Sequence, residues 1–187
     1  MRSIEKEYSW NSSKKEVIRF GIQSGLEILV NVLTSIIIFF VMDMFGEGIF
    51  FFLVFIPIRI FSGGYHADTF FRCWLLSSSI LFLVLAISKR TTLSEIVSFI
   101  LICVLCILIW MIGAVINDNR PVSQNEYVKF LKKLHITMGI QIVLAVILIE
   151  LKKTTLINII ICSLAVNLLS LIIGKVKYQN NNENSFV

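Results

Sequence analysis

Between residues 24 and 174 the chain is made almost wholly of apolar runs, and the breaks between them are too short to hold a soluble domain. The runs fall at about 24–42, 47–61, 72–88, 95–116, 135–151 and 155–174. About 20 such residues cross a bilayer as a helix. The runs are apolar all round and do not alternate, so barrel strands fit them poorly. The expectation is an all-α, polytopic membrane protein with about six transmembrane helices in a single membrane domain over 24–174. The second and third runs are short, which leaves tilting or re-entry open for both. Composition agrees, with 57% of the 187 residues apolar and 16% charged.

The basic residues set the expected orientation. With the N-terminus inside, thirteen lie in inner segments: Arg2, Lys6, Lys14, Lys15, Arg19, Arg59, Arg72, Arg120, Lys129, Lys132, Lys133, Lys175 and Lys177. Only Lys89, Arg90, Lys152 and Lys153 lie outside. That bias predicts cytoplasmic termini and a cytoplasmic 59–73 loop. It also explains the net charge of +5 as membrane topology, so nucleic-acid binding is discounted. Residues 1–22 lack the apolar centre of a cleavable signal peptide. They intersperse Ile4, Tyr8, Val17, Ile18 and Phe20 with charges and add Trp10, the pattern of an amphipathic segment on the inner leaflet. The polar tail at 175–187 ends in "QNNNENSFV", which is expected to lack fixed structure.

Between the second and third runs stands "RIFSGGYHADTFFRC", Arg59 to Cys73. Cys73 and His66 are the one pair with obvious catalytic chemistry. A thiol needs a base to become a thiolate, and an imidazole can take that proton and return one to a leaving amine. Seven residues of straight helix would hold them about 10.5 Å apart along the axis, beyond hydrogen-bond reach. The backbone between them therefore has to leave the helix, unless a second chain completes the site. Gly63 and Gly64 supply the freedom for a bend. Asp68 or Thr69 can cap the third helix, leaving Cys73 in its second turn, where the positive helix end and Arg72 favour a thiolate. Irregular backbone at membrane depth requires protein or water around it, so a water-accessible cavity is expected at this loop.

Other chemistries fit less well. "CVLC" at Cys103–Cys106 has redox or metal spacing but lies in "LICVLCILIW", where packing thiols are expected. No H-E-x-x-H occurs, so zinc proteolysis is disfavoured. Asp43, Asp68 and Asp118 fall at span ends, which disfavours a facing aspartyl pair. No metal or cofactor is expected. Asn31, Asn158 and Asn167 are expected to join helices by hydrogen bonds, with Glu27 at the inner boundary.

"RIFSGGYHADTFFRC" resembles the signature of the accessory gene regulator B family (AgrB), through Arg59, Gly64, His66 and Cys73. Length, span number and "NDNRPVSQNE" at Asn117–Glu126 are similar too, although a proline common before that segment in the family is replaced here by Val115 and Ile116. The resemblance implies a membrane cysteine endopeptidase of a Gram-positive bacterium that processes a quorum-sensing peptide. Cys73 would cut the C-terminal tail from a membrane-associated pro-peptide (AgrD-like) through an acyl-enzyme thioester. The remainder would cyclise to a thiolactone or lactone. Arg59, Gly63, Gly64 and Asp68 would support the dyad, and Arg120, Lys129, Lys132 and Lys133 on an inner loop would attract the acidic tail. A homodimer in the lipid bilayer is a reasonable state. The competing reading is a non-catalytic transporter or peptide-binding adaptor.

Overall fold

The computed structural model describes residues 25–65, 69–115 and 124–184. Six helices account for nearly all of them: α1 Gly25–Met42, α2 Phe45–Ser62, α3 Phe70–Arg90, α4 Glu95–Ile112, α5 Gln124–Glu150 and α6 Thr154–Asn184. Each contains a window long and apolar enough to span a membrane, and no strand occurs among the described residues. The protein is a multi-pass, all-helical membrane protein. At 18 and 21 residues, α2 and α3 rise about 27 and 31 Å, matching an apolar slab of about 30 Å. The amphipathic segment expected at 1–22 lies outside the described residues.

Helix ends follow local chemistry. At the α1–α2 and α5–α6 turns, Asp43 and Lys152 take φ of 54°. The amides that follow close the same pattern twice: Met44 to Phe39 at 3.0 Å with Asp43 to Phe40 at 3.2 Å, and Lys153 to Leu148 at 3.0 Å with Lys152 to Ile149 at 2.9 Å. These bonds satisfy the last carbonyls of α1 and α5. The hydroxyl of Ser94 accepts from the Val97 amide and caps α4.

Three expected boundaries shift. The fourth span stops at Ile112 and not at 116, because Gly113 turns left-handed at φ 74° and its amide closes on Ile109. The fifth helix starts at Gln124 and not near 135, since "QNEYVKFLKKLH" contains no breaker and continues the helix out of the apolar zone. Lys129, Lys132 and Lys133 consequently stand on the first turns of α5 and not on a loop. The sixth helix runs past 174 to Asn184, so most of the polar tail extends α6.

α6 is the axis of the bundle. Half of its apolar span is buried, and it packs on α2, α3, α4 and α5, whereas α1 faces almost wholly outward. Ile159, Ile160, Leu164 and Leu171 of α6 are fully buried with Ile58, Leu85, Ile102, Ile109 and Leu134. Lipid offers no hydrophobic gain for burying these side chains, so close packing and dispersion hold the helices together. Polar contacts add to this. Asn158 donates to the carbonyl of Thr91 at 2.7 Å, tying α6 to the α3–α4 turn. Ser77 of α3 donates to Asn31 of α1 at 3.1 Å. Gln141 donates to the Val54 carbonyl at 2.5 Å, next to Leu53, whose carbonyl loses its usual donor to Pro57. Asn167 departs from expectation, its amide turning back to the Ser163 carbonyl of its own helix at 3.0 Å. Cys106 of "CVLC" is buried in the packed interior, as a small hydrophobe would be.

The up-and-down course sorts the described cations. The Lys89 ammonium reaches the Met42 carbonyl, placing the end of α3 beside the α1–α2 turn. Asn158 brings the α5–α6 turn to the same end. Lys89, Arg90, Lys152 and Lys153 lie there, while Arg59, Arg72, Lys129, Lys132, Lys133, Lys175 and Lys177 lie toward the other end.

Candidate functional site

The more basic end of the bundle carries the break between α2 and α3. Helix α2 ends where Gly63 takes φ 70° and Gly64 follows at φ 106°, angles that side chains with a Cβ rarely adopt. The Gly63 amide closes the helix on the Arg59 carbonyl at 3.1 Å. Gly63 then pairs side by side with Val115, whose amide donates to the Ser62 carbonyl at 2.8 Å. A Cβ on Gly63 would run into the Val115 carbonyl oxygen. The segment after α4 and the segment after α2 thus lie against one another through backbone contact.

Arg59, one turn before the break, holds the bend from beneath. Its guanidinium donates to the Gly63 carbonyl at 2.8 Å and also to the Tyr65 carbonyl and the Ser170 hydroxyl. A planar fork with several donors suits three acceptors arranged in this way, and an ammonium would not reach them all. The Tyr65 amide donates to the Ser170 carbonyl at 3.0 Å. Every described polar backbone contact of Gly63 and Tyr65 is therefore local to α2, Val115 or α6, which meets the requirement that irregular backbone at this depth be satisfied by protein.

The next described residue is Thr69, extended at φ −129° and ψ 147°, in the N-cap position of α3. Its hydroxyl makes no capping bond, and its carbonyl accepts from the Cys73 amide at 3.1 Å. Cys73 is the fourth residue of α3 and is exposed. Beside it, the Trp74 indole donates to the Thr34 hydroxyl of α1 at 3.0 Å, and Ser77 reaches Asn31 one turn on, so the first turns of α3 are pinned to α1. Helical backbone is broken from Gly63 to Thr69 among the described residues, and Cys73 sits on a new helix.

Of the residues singled out in the sequence, Arg59, Gly63 and Gly64 come together in one cluster. Lys133 reaches its edge, with its ammonium 5.5 Å from the centre of the Phe61 ring. Lys129 and Lys132 share the exposed first turns of α5. His66, Asp68 and Arg120 lie outside the described residues. Ser170, Gly174, Tyr65 and Val115 were not anticipated: Ser170 is 111 residues from Arg59, and nothing local in "NLLSLIIGK" marks it. A cleft of about 540 Å³ opens at the far end of the bundle, lined by Glu47, Phe50, Lys152, Lys153 and Thr154 among others, away from this cluster.

Comparison with known proteins places these residues in context. A family model described as accessory gene regulator B matches residues 1–172. An AgrB-like protein 2 of Clostridium perfringens (strain 13 / Type A) is 23% identical over 138 residues, 70% of this chain and 64% of that relative's length. The chain thus aligns with just under two thirds of that curated relative. No solved structure matches.

Proposed function

The chain belongs to the accessory gene regulator B family, and from that premise we propose that it is a membrane cysteine endopeptidase that processes a quorum-sensing pro-peptide. The observation that carries the reading is the start of α3: Thr69, inside the seven-residue interval from His66 to Cys73, is extended at φ −129° and ψ 147°, and the helix that holds Cys73 begins only at Phe70, so that interval is not one straight helix. A dyad at that spacing requires such a break.

In this reading His66 takes the thiol proton of Cys73, and the thiolate sulfur attacks the carbonyl carbon of a peptide bond in the membrane-associated, AgrD-like precursor. The C–N bond breaks, His66 returns the proton to the leaving amine, and the tail departs with a free amino group. The precursor remains on Cys73 as a thioester. A cysteine or serine within the precursor then attacks that carbonyl and displaces the Cys73 sulfur, closing a thiolactone or lactone. Thioester exchange conserves the acyl bond's free energy. Holding the second nucleophile against the acyl group makes the step intramolecular, a gain that reaches roughly 7 to 11 kcal/mol for well-oriented groups. Asp68 would cap α3 or orient His66, and the site would face the cytoplasm on the more basic end.

Lys129, Lys132 and Lys133, together with Arg120, would attract an acidic tail. Replacing the three lysines of α5 by glutamine is expected to raise KM for the precursor several-fold at low salt, with kcat little changed and the difference shrinking as salt is added. KM values that stay equal at every ionic strength would leave the lysines a purely topological role. The reading as a whole is tested by mixing the protein in lipid with an AgrD-like pro-peptide and searching by mass spectrometry for a precursor adduct on Cys73. Folded protein that gives neither the adduct nor the free tail would overturn it.

A further inference from the structure

Three residues of α6 meet the Gly64–Tyr65 segment, two at its backbone and one at the Tyr65 ring, and they are spaced 170, 174 and 177, one face of a helix. Ser170 gives two acceptors, its hydroxyl to Arg59 and its carbonyl to the Tyr65 amide at 3.0 Å. Gly174 gives space: a Cβ there would lie 2.8 Å from the Gly64 carbonyl carbon and 2.8 Å from the Tyr65 nitrogen. The Lys177 ammonium stands 5.0 Å from the centre of the Tyr65 ring. Gly64 completes the fit, since a Cβ on it would lie 2.6 Å from the Arg59 guanidinium and 2.9 Å from the Ser170 hydroxyl. The two backbones therefore approach through a pair of glycines, one on each side.

We propose that Ser170 and Gly174 are positioning residues of the peptidase: they dock the backbone that leads directly into His66 onto the central helix of the bundle. The inference rests on the reading of the previous subsection. Two acceptors of Arg59, the Gly63 and Tyr65 carbonyls, belong to the same stretch of chain as Arg59 itself. Ser170 converts that local brace into a long-range anchor. Since α6 packs on four other helices, the anchor is rigid. Displacing a reacting group by about 1 Å costs up to roughly 100-fold in rate, so holding this backbone acts on the chemical step and leaves substrate affinity alone.

The two residues contribute separable contacts. Ser170→Ala removes the hydroxyl acceptor and keeps the carbonyl, whereas Gly174→Leu pushes the whole loop away. The test uses the full chain in lipid with an AgrD-like pro-peptide that the parent protein cleaves, measuring tail release together with hydrogen exchange of the 62–65 backbone. Ser170→Ala is expected to speed exchange of that segment and to lower kcat by about 10 to 100-fold with KM within about twofold. Gly174→Leu is expected to do more of both, and Ser170→Thr, which keeps the hydroxyl, to recover most of the kcat. Unchanged exchange in both Ser170→Ala and Gly174→Leu overturns the anchor, as does faster exchange with unchanged kcat. Failure of the peptidase reading looks different: tail release would persist in Cys73→Ala while Ser170→Ala still loosened the loop.

Discussion

Replacing Cys73 by alanine is expected to abolish tail release, with a loss of at least about 10³-fold, equivalent to roughly 4 kcal/mol of transition-state stabilisation. The size follows from the role. Without the sulfur there is no acyl-enzyme, and no neighbouring group in the described cluster replaces it: Arg59 is committed to carbonyls and a hydroxyl, and Trp74 and Ser77 to α1. Cys73→Ser keeps the geometry but offers a far weaker nucleophile, so only traces of cleavage are expected. His66→Ala is expected to fall nearly as far, and the double variant no further, because members of one catalytic unit are not additive. The amount of protein in the membrane should not change. Cys73 is exposed on the fourth residue of α3, so removing its sulfur opens no cavity and breaks no packing. Cleavage and membrane level are measured together, on the same preparations. A transporter or adaptor predicts the reverse pattern, with processing intact in both single variants, and that outcome would exclude the enzyme.

What was legible in the sequence was whatever is written locally. The six spans stand out because an apolar run needs no partner to be recognised, and α1 ends at Met42, its expected bound. The bend was legible for the same reason: adjacent Gly63 and Gly64 announce backbone freedom before any contact is known, and both take positive φ. The boundaries that moved did so where polar sequence still favours a helix. The charged start of α5 and the asparagine-rich end of α6 read as loop or tail by polarity, yet neither contains a proline or glycine to stop a helix already propagating from an apolar core. Least legible was the support of the site. In sequence Arg59 reads only as a support of the dyad, and how it gives that support depends on Ser170, which is far away in the chain. Gly174 in "LIIGK" looks like any small residue in a span until Gly64 is found against it.

The second large effect is expected at Gly64, where two independent penalties coincide. At φ 106° an L-residue is strained, and leaving the glycine region costs of order 1 to 3 kcal/mol. The added methyl would also lie 2.6 Å from the Arg59 guanidinium, 2.9 Å from the Ser170 hydroxyl and 3.0 Å from the Ser170 carbonyl oxygen. The guanidinium can swing aside, but only by giving up the carbonyls of Gly63 and Tyr65, while the Ser170 carbonyl is fixed in the backbone of α6. Relief of the clash therefore dismantles the brace. Gly64→Ala is expected to lower thermal stability in lipid by several degrees and to cut tail release by about 100-fold or more. Gly46→Ala is the matched control: that glycine lies in the first turn of α2 with nothing within 4 Å of an added Cβ, and alanine there favours the helix. Its unfolding temperature and turnover should equal or slightly exceed those of the parent. If Gly64→Ala behaves as Gly46→Ala does, the left-handed bend is not what the site depends on, and the account of Arg59 as its brace fails with it.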